Sequence, residues 1–106
     1  MHARVINGVV LPGKMDDLIR LVEESIAPEA TKRPGFHGML LLTDAGSRRA
    51  MAIALWETKE AMEEGETSNY LSDQLAKVSA LHEEAALSTR KFRVSSHIRG
   101  SGGSAI

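Results

Sequence analysis

"PGFHGMLLLTDAGSRRAMAIALWETKEAM", residues 34–62, is two apolar runs joined by a compact turn. Phe36 to Thr43 reads as a strand, and Asp44-Ala45-Gly46-Ser47 sends the chain back antiparallel into a second strand from Arg49 to Glu57. A sheet with one wet face should alternate apolar and polar residues, and these strands do not. Strand parity puts Phe36, Leu40 and Leu42 on one side of the first, with Met39 and Leu41 on the other. On the second, Met51, Ile53 and Leu55 oppose Ala50, Ala52, Ala54 and Trp56. Helices can cover only one face of such a sheet. The other would be a large exposed apolar patch, which soluble monomers avoid, so a homodimer packed sheet against sheet is expected.

Upstream, Val5 to Leu11 reads as a strand because β-branched residues dominate it, and Pro12-Gly13 punctuates it. Met15, Leu18, Ile19, Val22 and Ile26 then fall on one helical stripe, opposite Asp16, Asp17, Arg20, Glu23 and Glu24. Pro28 is expected to kink or end this helix by driving Ala27 out of helical geometry. Arg33-Pro34-Gly35 is a turn. Downstream, Thr58 is a helix cap with Glu60 in the first turn behind it, and a short helix runs to Gly65. A second cap at Thr67 or Ser68 opens a helix whose stripe is Leu71, Leu75, Val78 and His82. Leu87 to Ile98 alternates as a fourth strand. The order βαββαβ predicts an α+β, ferredoxin-like antiparallel sheet with helices on one face. Residues 1–98 form the domain, and 99–106 read as a flexible Gly/Ser tail.

Composition narrows the function classes. The chain has 106 residues, 42% of them hydrophobic and 25% charged, as in an ordinary globular domain. A net charge of -1 leaves no electrostatic footprint for nucleic acid or an anionic membrane. No apolar run reaches the ~20 residues that span a bilayer, and the amino end does not read as a signal peptide, so a cytoplasmic location is the default expectation. There is no cysteine, so thiol chemistry and cysteine metal sites are excluded. The four histidines have no metal-ligand spacing, and Glu60, Glu63, Glu64 and Glu66 read as an acidic helix surface. No metal and no cofactor are expected.

"PGFHGMLLLTD" followed by "AIALWETKEAM" resembles the Pro-Gly-Phe and Trp-Glu-Ser/Thr signatures of the antibiotic biosynthesis monooxygenase family, whose members are dimeric α/β-barrels. The resemblance runs from about Val5 to about Val94. It implies a cofactor-independent monooxygenase-like protein acting on an aromatic or quinone-like small molecule. Related domains also degrade haem or have no assigned activity, so a non-catalytic small-molecule-binding or stress-response domain is the alternative. In the quinone-forming members the matching tryptophan works with an asparagine four residues earlier and a tyrosine six residues later. Here those positions are Ala52 and Met62. In the haem-degrading members a tryptophan and a haem-ligating histidine stand where this chain has Gly65 and Gln74, which disfavours haem degradation.

The candidate site residues each admit two readings. Trp56 beside Ala52 and Ala54 is either the wall of an aromatic pocket or a plug at the end of a core. Asn7, between Val5 and Val9, is a catalytic amide or a buried one satisfied by backbone. His82 continues an apolar helical stripe, so it is a structural residue or the best general base in the chain. Tyr70 can supply a phenol donor. His37 is a pocket residue or a variable position within the Pro-Gly-Phe signature. Lys91, Arg93 and His97 read as a solvated edge.

Overall fold

The computed structural model describes residues 1–102 of the chain, so the last part of the expected tail, residues 103–106, lies outside the described residues. Strands β1 (His2–Val9), β2 (Phe36–Asp44), β3 (Arg49–Trp56) and β4 (Ser88–Arg93) form an antiparallel sheet in the order β2-β3-β1-β4. Helices α1 (Met15–Leu21), α2 (Ala27–Thr31), α3 (Lys59–Thr67) and α4 (Tyr70–Ser79) pack on one face. This is the expected ferredoxin-like α+β arrangement. The register pairs His2 with Trp56 and Val9 with Arg49, which sets β1 between β3 and β4. Between sheet and helices, Val10, Leu18, Val22, Ile26, Ala50 and Val78 form the buried cluster.

The hairpin forms as read: Asp44 accepts from the Ser47 hydroxyl at 2.6 Å and from its backbone N–H at 3.2 Å. Those bonds hold the Asp44 carboxyl below its ordinary pKa. The turn before β2 uses Gly35 at a φ of 79°, where a side chain would also strike Ala61. Thr58 caps α3 by accepting from the Ala61 N–H at 3.0 Å.

Several local expectations are corrected. Pro28 neither ends nor displaces the first helix, because residues Val22–Ile26 widen into a π-helical turn that runs directly into α2. The Ala27 N–H reaches the carbonyl of Val22, and Ala27 itself keeps helical angles. Pro28 then falls in the first turn of α2, where a missing N–H matters least. The cap before α4 is Asn69, in the left-handed region at a φ of 65°, rather than Thr67 or Ser68. A bulge between Phe36 and Gly38 inverts parity, so Phe36 joins Met39 and Leu41 on the helix side instead of Leu40 and Leu42 on the other. The first strand starts at His2 and the last stops at Arg93, short of Ile98.

Candidate functional site

The alternate residues of β3 that face the helices are Ala50, Ala52, Ala54 and Trp56. Small side chains there keep the sheet floor low, and Leu18 of α1 and Gln74 and Val78 of α4 line the space over it. A cavity of about 90 Å³ is left between them, and Trp56, Met62 and Val78 are among its walls. Met39 and Leu41 of β2 and Ile6 of β1 complete an apolar lining. Ala52, Ala54 and Trp56 thus border one space.

Trp56 is only 4% exposed. Phe36 and Tyr70 meet its indole edge-on, with ring centroids 5.3 and 6.4 Å away. Its Nε1 has no hydrogen-bond partner among the described residues, and neither does Oε1 of Gln74, a residue 8% exposed. Gln74 follows Tyr70 by four residues on α4, so both project from one side of the helix. Both also line a shallow groove on the outer side of α4. The Arg33 guanidinium lies 4.6 Å above the Tyr70 ring, and its Nη2 donates to Glu64 and, at 2.9 Å, to the Ser68 hydroxyl. Burial raises the Tyr70 pKa, with Arg33 opposing the shift, so the phenol keeps its proton as a donor.

His82 reaches the cavity by another route than the one its spacing suggests. Helix α4 ends at Ser79, and His82 lies beyond it, bridged to Val10 as a strand-like pair. Its Nδ1 is 2.7 Å from the Val78 carbonyl. A carbonyl only accepts, so Nδ1 carries a proton, and the lone pair of the neutral ring is the one at Nε2. The ring sits on the backbone of Gly8, where any Cβ would collide with Cδ2. Glycine at that position is what admits the imidazole.

Arg4 is a cavity residue that the sequence reading passed over. It occupies the helix-facing parity of β1 with Ile6, is 7% exposed, and lines the same space. One guanidinium nitrogen donates to both the Met62 carbonyl and Glu66 Oε2, each at 3.3 Å. Glu66 is shared with Lys91, and the Lys91 hydrogen bond, more than Arg4, holds its carboxyl below the ordinary range against a smaller burial effect. The signal was available: a charged side chain two residues from Ile6 in a β-branched strand.

Two expected site residues lie elsewhere. Asn7 is in register with Met51 and Ser88, so it points with Val5 and Val9 to the sheet face away from the cavity. His37 sits on the β2 bulge, edge-on to His97 at 6.3 Å, and does not line the cavity. Among the described residues no group of His, Asp and Glu side chains is placed to hold a metal ion, and no helix is long and apolar enough to cross a membrane.

No protein-family model matches the chain, and no curated protein matches it by sequence. Solved structures do. The monooxygenase encoded by ActVA-Orf6 of Streptomyces coelicolor, solved with nanaomycin D, superposes with a TM-score of 0.76 at 16% identity, covering 94% of this chain and 92% of that one. An alanine variant of SnoaB, a cofactor-independent oxygenase of Streptomyces nogalater, gives 0.71 at 18% identity over 93% and 97%. A Deinococcus radiodurans protein provisionally assigned as an antibiotic biosynthesis monooxygenase gives 0.72 at 14% over 96% and 100%. Likeness at such identities speaks for architecture and leaves chemistry to the site. The chain has the α+β fold of the antibiotic biosynthesis monooxygenases.

Proposed function

We propose that this protein binds an aromatic or quinone-like small molecule beside Trp56 and oxidises it with dioxygen, using no cofactor. One observation carries the reading: an apolar cavity bounded by an indole also holds a histidine whose Nδ1 is anchored to the Val78 carbonyl, leaving Nε2 as its free nitrogen. A flat ring is accommodated against Trp56 over the alanine floor once the flexible methionines of the lining give way. His82 Nε2 takes a proton from a phenol, and the resulting anion is electron-rich enough to reduce dioxygen. One oxygen atom enters the ring and the other leaves as water, so phenol and dioxygen become quinone and water. The protein's part is to deprotonate and orient. The S. coelicolor and S. nogalater oxygenases share the fold, which supports the same use of it here.

A second reading, binding without catalysis, is favoured by a specific observation. Ala52 and Met62 both line the cavity, and neither can donate the hydrogen bond that would steady a phenolate or peroxide. Oxygen uptake separates the two. Planar phenols of one to three rings are added while an oxygen electrode and the fluorescence of the single tryptophan are followed. Uptake that disappears in His82→Gln supports the oxygenase. Quenching without uptake leaves the binding domain, and neither signal with any phenol refutes both.

A cytoplasmic homodimer completes the proposal. Leu40, Leu42 and Phe92 stand exposed on the sheet face opposite the helices, and a twofold mate of the same face would cover them.

A further inference from the structure

We infer that Gln74 selects the ligand, and that the cavity takes a single-ring aromatic whose hydroxyl donates to Gln74 Oε1. This rests on the proposed binding of an aromatic molecule beside Trp56 and names which molecule fits. A buried amide oxygen without a donor is rare in folded proteins, because it has given up water for nothing. Here it occurs on a wall of an otherwise apolar space, together with an unpaired indole N–H. The two orphans are complementary in kind: Oε1 needs a donor and Nε1 needs an acceptor. Both atoms are sealed from the resting cavity, so no water reaches either, and they are paired only when an entering ring displaces the lining. One hydroxyl of the ring donates to Gln74 and accepts from Trp56, and a second hydroxyl on the same ring is the one left to His82 Nε2. An aryl ether or a hydrocarbon leaves Oε1 unpaired.

Size sets the other limit. The cavity of about 90 Å³ is below the roughly 150 Å³ in which a protein interior takes up benzene. One ring is accommodated if Met39 and Met62, flexible side chains in the lining, give way. A fused three-ring system would require the sheet and α4 to part. Gln74 also borders the outer groove, so its amide has one end toward solvent-facing surface while Oε1 is sealed.

The single tryptophan provides the assay, since its indole N–H gives one resonance in a ¹⁵N–¹H spectrum. That resonance is followed while 4-methylphenol, 4-methylanisole and a tricyclic phenol are titrated into wild type and Gln74→Met. The expected result is that wild type binds the phenol at least about tenfold more tightly than its methyl ether, in line with the cost of an unpaired buried acceptor. In Gln74→Met the two should bind alike, through loss of the phenol's affinity and not through a gain by the ether. Equal binding of phenol and ether by wild type overturns the inference without recourse to any variant. So does an unchanged ratio in Gln74→Met, or tighter binding of the tricyclic phenol than of 4-methylphenol. If ether and phenol both bind, aromatic binding stands while the role of Gln74 falls. If no aromatic moves the indole resonance, the binding reading itself fails.

Discussion

Ala52→Leu distinguishes an open pocket from a packing seam. Ala52 faces the cavity from the middle of β3, with Ala50 and Ala54 on either side. At about 24 cal/mol per Å³, a void of about 90 Å³ destabilises the fold by about 2 kcal/mol. Leucine adds three carbon atoms, worth up to about 0.8 kcal/mol each when buried. Fitting them into a fixed frame costs about 1–3 kcal/mol where no room exists. With room for most of the side chain the strain is the smaller effect, and the net change should lie between zero and about 2 kcal/mol of stabilisation. For a domain of this size that is a rise of at most about 8–16 °C in Tm, at about 4–8 °C per kcal/mol. Ligand binding should fall in the same variant, because the leucine occupies the ligand's space. Urea unfolding read by Trp56 fluorescence gives the stability, and quenching by a planar quinone gives the binding. A loss of more than about 1 kcal/mol would mean that the alanines are a contact surface for α4, and the reasoning would be refuted.

Three further expectations follow from other parts of the molecule. Light scattering on a sizing column should report a dimer at micromolar concentration, converted to monomer by Leu42→Lys, since Leu42 is 47% exposed on the bare sheet face; a monomeric wild type would defeat the barrel. Haemin with a reductant should yield no ring-opened product, because on the family resemblance Gly65 and Gln74 stand where haem-degrading domains have an aromatic wall and an axial ligand; product at a useful rate would refute this. Glu66 has a folded-state pKa depressed chiefly by Lys91, so its contribution to stability is present above its unfolded pKa and fades as pH falls through the folded one. The stability difference between wild type and Glu66→Gln should therefore shrink on acidification, and a difference that grows would reverse the assignment.

The sheet and its bare face were legible because β3 carries its pattern without interruption: small residues and Trp56 on one side, Met51, Ile53 and Leu55 on the other. Nothing local competed with that alternation. Phe36 was misplaced because one extra residue in β2 inverts parity, and a bulge leaves no mark when residues are simply counted. His82 was placed in the cavity by helical spacing that fails at Ser79, and it arrives there only because Gly8 leaves room across the sheet. Asn7 was drawn into the site as a polar amide between two valines, although that same strand position, odd-numbered with Val5 and Val9, already turned it away. Gln74 read as the absence of a haem ligand. That it is a buried acceptor with no donor is a fact of the tertiary fold, which brings α4 over the alanine floor.

Tyr70 and Gln74 line the cavity on one side and the outer groove on the other, with Arg33 stacked on the tyrosine and anchored to Glu64 and Ser68. Gly65 gives the tyrosine ring its seat, since a Cβ there would press Cδ2 at 3.1 Å. On the proposed binding, a ligand that enters from the groove would pass this pair, and entry and selection would fall to neighbouring side chains on one turn of α4. The Arg33–Glu64 pair is exposed and screened by salt, unlike the buried contacts behind it. Ionic strength should then change how fast ligands exchange, by loosening Tyr70, while leaving how tightly they are held to Gln74 and Trp56. On that reading rate and affinity would be set by different bonds, and the surrounding solution would tune the rate alone.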